Sequence, residues 1–575
     1  MKFFAILFLV CTSLSVFALD REAFTFTKYD LEVRIEPEQQ RLGVRGKITV
    51  RNDSDSPQKN AALQISSTLN WSSIQIENKP VEFVTQTYNS DIDHTGALSE
   101  AIVTFPQPVA PKQTIEFAVG YEGVIPQDTT RLTRIGVPSN VARHSDWDRV
   151  SQSFTAVRGI GYVTWYPVAV EAASLSQGNS VFQAVGRWKQ REEQAEIQVN
   201  LCAVRKLSDG LKESRAPFLL MNEPHRTEGS GGGSDGTTCS GYLFRPLGTL
   251  VPFFVIGNYS DLEQPDARIH YFPEHKSGAE NYVLAVQSAL PYVTEWFGVP
   301  KEKPGVAELA DADAAAFESG NMLLMPLVGT DSRRYQLAAV QQLTHIAFPS
   351  SRAWIHEGLA RFAQLGFIQK TQDPQAVIEY LQNHRDALVE SEKQNLANGS
   401  DKHAEYSLIN AADEFYVQAK AMNVWWMLKD IVGDSALKSA LRNYRPADDK
   451  GPSYVQKLIE AQAHRDLEWF FDDWVYRDRG LPDFKVDSVY PRQLVNGGYM
   501  VTVTVENLGT AGAEVPVTLH MNNGEASERL LVPAKSKASV RIQAATMPVE
   551  VIVNDGSVPE SDMSNNTFKP APAVP

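Results

Sequence analysis

Residues 335–362 bring together side chains able to bind a cation or move a proton: His345 late in one helical stretch, and Glu357 at the start of another. A neutral imidazole and a carboxylate are ligands for metals such as zinc, and both are general acid–base groups. The structural alternative makes His345 a hydrogen-bonded core histidine and Glu357 a helix N-terminal acid paired with Arg361 at i+4. Other segments carry weaker signals. Gly232 to Gly236 spells Gly-x-Ser-x-Gly, but a nucleophile elbow needs a buried strand before its serine, and here only glycine and serine precede it. Asp555, Glu560, Asp562 and Asn565 form an acidic loop without calcium-loop spacing and are expected to be a solvated turn. Tyr416, Trp425 and Trp426 read as packing residues.

The elements around these residues divide the chain. Its 575 residues, 43% hydrophobic and 10% aromatic, suit several folded domains. With 54 basic and 69 acidic residues the net charge is −15, which disfavours nucleic acid and anionic lipid as main partners. Residues 1–18 read as a signal peptide cleaved after Ala18 and too short to span a membrane, so a secreted or periplasmic protein is expected. Two cysteines then remain in the mature chain, Cys202 and Cys239, in strand-like segments flanking one loop; a disulfide is expected. Alternation such as Tyr29, Leu31, Val33 and Ile35 predicts a β-rich domain over 19–265. Helical periodicity over Leu284–Phe297, Leu337–Ala347, Ile355–Phe367, Ala419–Ile431 and Val455–Trp474 predicts a mainly helical domain over 266–483. Alternation returns over 484–568, enough for a small β-sandwich, before a tail at 569–575.

The segment Trp354-Ile355-His356-Glu357-Gly358-Leu359-Ala360 resembles the second zinc-site element of the gluzincin metallopeptidases, in particular the membrane alanyl aminopeptidase family. There Trp-Leu-x-Glu-Gly supplies the third zinc ligand, and a preceding His-Glu-x-x-His helix supplies two ligands and the general base. The resemblance implies a multidomain α+β fold: an N-terminal β-rich domain, a thermolysin-like domain and a C-terminal Ig-like β-sandwich. It assigns the metal positions to Gln341, His345 and Glu357, and the general-base position to Gln342. The sequence there reads Gln341-Gln342-Leu343-Thr344-His345, so one ligand histidine and the catalytic glutamate are both glutamine. An amide is a weak zinc ligand and cannot take up a proton near neutral pH. Eleven residues separate His345 from Glu357, where that family has eighteen.

Phe317-Glu318-Ser319-Gly320-Asn321-Met322 lies where the family holds a substrate's amino group, which makes Glu318, Gly320, Asn321 and Met322 the substrate-binding candidates, with Glu318 standing in from a shifted position. Tyr416 through Lys420 resembles the helix carrying the family's oxyanion tyrosine, with Tyr416 two residues early and Gln418 at the aligned position. The expectation is an exported, catalytically degenerate homologue of zinc aminopeptidases that binds peptide or protein, its zinc lost or weakly held. The alternatives are an active metallopeptidase with a non-standard ligand set and a surface scaffold using its β domains.

Overall fold

The computed structural model describes residues 19–90, 96–169, 191–204, 218–222, 226–227, 237–329, 331–372, 374–397, 407–411 and 414–570. The expected signal peptide, the Gly232 to Gly236 motif and residues 571–575 of the tail lie outside them. Among these residues the chain forms two compact units, the first ending at Gly257 and the second beginning at Asn258.

Period-two patterning builds the first unit. Strand β1 (Phe24–Glu36) buries Tyr29, Leu31, Val33 and Ile35 and turns Asp30, Glu32 and Arg34 outward. It pairs antiparallel with β2 (Arg41–Asn52) and parallel with β3 (Glu196–Val204), within an eight-stranded sheet of the described residues. Strand β4 (Thr237–Phe244) lies antiparallel to β3 with Cys202 opposite Cys239, and the two are joined by a disulfide of 2.06 Å.

The second unit holds a five-stranded sheet of β5 (Ser260–Glu263), β6 (Arg268–Tyr271), β7 (Gly305–Glu308), β8 (Phe317–Ser319) and β9 (Met322–Met325), in the order β5-β6-β7-β9-β8. Sequence patterning predicts helix here and misses these strands. Strands β6, β7 and β9 run parallel, and β7, β8 and β9 are buried at every residue, so they show no alternation to read. Helix α1 (Lys276–Phe297) packs on β6, and α2 (Ser332–Ala347), α3 (Ala353–Thr371), α4 (Pro374–Ala397) and α5 (Glu414–Val432) pack on it and on one another around a common core, followed by α6 (Asp434–Asn443) and α7 (Tyr454–Ala463). The stretch expected as one helix over Val455–Trp474 is broken. His464 takes a left-handed conformation after α7, Asp466 caps the next turn through Glu468 N, and Asp472–Tyr476 is π-helical.

The same unit ends in two antiparallel sheets. One is β10 (Phe484–Gln493), β11 (Tyr499–Asn507) and β14 (Lys537–Ala544). The other is β12 (Ala513–Met521), β13 (Gly524–Val532), β15 (Glu550–Val553) and β16 (Thr567–Phe568). Val501, Val503 and Val505 of one and Val515, Val517 and Leu519 of the other are fully buried in one core. Glu560, expected in a solvated turn, is instead fully buried. It accepts from Asn554 Nδ2 at 2.7 Å, Phe484 N at 3.0 Å and Asn566 Nδ2, tying the last loop to the start of β10.

Candidate functional site

Two helix ends and one strand edge set the site. Helix α2 starts at Asp331, whose carboxylate accepts from Arg333 N at 3.0 Å and Arg334 N at 3.3 Å. It stops at Phe348, before Pro349, and places His345 in its last turn. The turn into α3 is held from outside: Arg352 Nε bonds Asp449 at 2.7 and 2.8 Å, and Ser350 Oγ lies 3.0 Å from Tyr444 Oη. Glu357 is thereby carried into the core in the first turns of α3. Helix α5 lies across α3 at Gly358, where a Cβ would come within 2.5 Å of Ala421 and 2.9 Å of Trp425, and this close approach brings Gln418 onto Glu357.

His345 sits between two carboxylates. Its Nδ1 lies 3.0 Å from Glu318 Oε1 on edge strand β8, and its Nε2 lies 3.9 Å from Glu357 Oε1. His356 stacks on it with ring centroids 4.0 Å apart and 15° between planes. Burial works against a charged imidazole, but Glu318 and Glu357 outweigh it and raise His345 to about 8. Burial, with His345 beside it, pushes His356 well below its usual value, and burial raises Glu357.

The expected pairing of Glu357 with Arg361 runs through an intermediary. Gln418 Nε2 donates to Glu357 Oε2 at 3.2 Å, and Arg361 Nη2 donates to Gln418 Oε1 at 2.8 Å. Arg361 also bonds Gln364 Oε1 at 3.2 Å, and Gln364 Nε2 reaches Gln341 Oε1 at 3.3 Å. One polar chain thus runs from Gln341 through Gln364, Arg361, Gln418 and Glu357 to His345 and Glu318.

Gln342 faces elsewhere. It is fully buried; its Oε1 accepts from Tyr282 Oη at 2.8 Å, and its Nε2 donates to Gly305 O at 2.7 Å and Asn321 O at 2.9 Å. Of the substrate-binding candidates, Glu318 is turned onto His345, Asn321 binds Lys303 O at 3.0 Å and Met322 is buried against Gly305, while Gly320 forms the exposed β8–β9 turn. Tyr416 lies apart from His345, its hydroxyl bonded to Glu392 at 3.2 Å and to Asp478. Sequence reading missed Gln364 and Tyr282, and it placed Gln418 at the oxyanion-tyrosine position where the structure bonds it to Glu357 and Arg361. The signal for the first is its place seven residues after Glu357 and three after Arg361, a polar row on a helix otherwise buried.

His345, His356 and Glu357 offer donor atoms within 4.8 Å of one another, enough in number for a zinc site. As placed, the two imidazoles are stacked on each other rather than turned toward a common point. Zinc binds nitrogen and oxygen at about 2.0–2.2 Å, so tetrahedral neighbours lie about 3.3–3.5 Å apart, whereas His345 Nε2 and Glu357 Oε1 are 3.9 Å apart. A metal also sits in the plane of each imidazole it binds, and two nearly parallel stacked rings share no such point. A dication would further leave excess positive charge buried beside Arg361.

The five-stranded sheet, the helices around it and the preceding β unit share their fold with solved M1 zinc metallopeptidases. The chain matches the crystal structure of an M1 zinc metallopeptidase from Deinococcus radiodurans with a TM-score of 0.52 at 16% identity, over 80% of this chain and 95% of that one. A single-residue mutant of the same metallopeptidase matches with a TM-score of 0.50 at 16% identity, over 80% of this chain and 96% of that one. No family model and no curated protein matches the sequence. No helix of the described residues is long and apolar enough to cross a membrane.

Proposed function

We propose that this chain is an exported, non-hydrolytic relative of the zinc aminopeptidases that binds peptide or protein without cutting it. The observation that carries this reading is the commitment of Gln342. Hydrolysis of a peptide by this architecture needs a base to take a proton from water, and a positioned base is worth about 10²–10⁴ in rate. Gln342, at the position the resemblance gives to that base, has its amide fully engaged by Tyr282, Gly305 and Asn321. The hydrogen-bonded commitment of His345 to Glu318 and of Glu357 to Gln418, with Arg361 beyond it, supports weak zinc binding or none. Peptide as the ligand class rests on likeness to proteins that are peptidases by name, and the C-terminal sheets are read as an Ig-like scaffold.

A second reading, a working metallopeptidase, is favoured by the clustering of His345, His356 and Glu357; it requires His356 to turn out of its stack. Zinc content and cleavage of a mixed peptide library by the purified mature chain, with and without chelator, separate the two. The expected outcome is far less than one zinc per chain and no chelator-sensitive cleavage. About one tightly held zinc together with chelator-sensitive cleavage would overturn the proposal.

A further inference from the structure

A second buried polar cluster in the same unit takes no part in the site above. Lys420 of α5, Glu392 of α4 and Asp478, just beyond the π-helical turn, meet in the core with side chains 0%, 8% and 2% exposed. Lys420 Nζ donates to Glu392 Oε1 and to Gly480 O at 3.2 Å, and it lies 4.9 Å from the centroid of Trp474. It is also 2.8 Å from Asp478 Oδ1, yet that oxygen has no hydrogen bond: the nitrogen is in contact with the carboxyl group without the alignment a hydrogen bond needs. Tyr416 Oη donates to the other oxygen, Oδ2. Asp478 is held there by a left-handed backbone, φ 45°, which costs free energy for a non-glycine residue.

From this geometry we propose that Lys420 and Asp478 become joined by an intramolecular amide bond, with Glu392 as the proton carrier. Burial works toward the neutral amine and carboxylic acid: ahead of the neighbouring charges it pushes Asp478 up to about 6, while Asp478 and Glu392 outweigh it at Lys420 and raise the amine, so the neutral pair is the minor form from which reaction starts. The ammonium first passes a proton to the Asp478 carboxylate. The lone pair of Nζ then attacks Asp478 Cγ, forming the N–C bond, while the Tyr416 hydroxyl stabilises the charge developing on Oδ2. Glu392 takes a proton from the nitrogen and returns it to the departing hydroxyl. The C–O bond breaks, one water leaves, Glu392 is regenerated, and nothing is oxidised or reduced. The bond ties α5 to the segment leading into β10.

Peptide mapping of the full-length protein after unfolding, reduction and trypsin digestion tests this directly. Trypsin cuts after Arg477 and Arg479, so the expected product is the dipeptide Asp478-Arg479 attached to a peptide uncut at Lys420, lighter than its two parts by one water. Nearly complete occupancy is expected in the natural chain, with at least a tenfold loss in Glu392→Gln. Free Lys420 and Asp478 in folded natural protein would overturn the proposal, and this measurement decides alone if the variant does not fold. Full cross-linking in folded Glu392→Gln would overturn the assigned proton path.

Discussion

Tyr282 on α1 donates its hydroxyl to the amide of Gln342 on α2 at 2.8 Å, across 60 positions of sequence, while the same amide donates to backbone carbonyls of Gly305 and Asn321. Gln342 therefore bolts the helix to the ends of β7 and the β8–β9 turn.

Placing a carboxylate at this position is expected to destabilise the protein. In Gln342→Glu an ionised side chain cannot donate to the two carbonyls; Asn321 O keeps its bond from Gly305 N, but a buried charge is set against both oxygens, at a cost of about 3 kcal/mol. Urea unfolding at neutral pH reads the loss. Unchanged stability would show that the amide bonds contribute nothing net.

Arg361 holds a positive charge next to Glu357 through Gln418. Arg361→Gln removes that charge and is expected to tighten zinc binding by about tenfold, roughly 1.4 kcal/mol. Competition against a chromophoric chelator measures it, and equal affinity of the two proteins would remove Arg361 from the account.

Glu560 gives the protein a pH dependence. Burial, opposed by three hydrogen-bond donors, raises its carboxyl from 4.5 to about 7. The native state thus holds a proton that the unfolded chain releases earlier. The stabilisation is fully present below about pH 4.5 and is lost as pH rises toward 7, at a slope of about 1.4 kcal/mol per pH unit. Unfolding free energies across pH 4–8 should show this component in the natural chain and a flattened one in Glu560→Gln, whatever the variant's absolute stability.

Gly358 permits the crossing of α3 and α5. A methyl there would meet Ala421 Cβ at 2.5 Å and the Trp425 ring at 2.9 Å. Gly358→Ala is expected to cost about 1–3 kcal/mol by overpacking, despite alanine's better helix propensity. Thermal unfolding reads it, and a rise in midpoint would mean the helices separate at little cost.

The chain's own residues determined much of this. Alternation at Tyr29, Leu31, Val33 and Ile35 and at Val501, Val503 and Val505 fixes strands because one face is buried and the other wet, and amphipathic spacing fixes α1, α2, α3 and α5. The chemistry of Gln341 and Gln342 is legible, since an amide neither ionises nor ligates zinc well. Tertiary structure decided the rest. The strands β7, β8 and β9 are buried on both faces and carry no period. Glu560 sits in a polar loop by sequence, yet is enclosed once β10 and the last loop close on it. Whether Gln342 faces a cation or a carbonyl, and whether Glu357 meets Arg361 directly or through Gln418, depends on contacts made by groups tens of residues apart. Those contacts exist only after the helices cross, because hydrogen bonds between distant side chains follow from packing and leave no spacing of their own in the sequence.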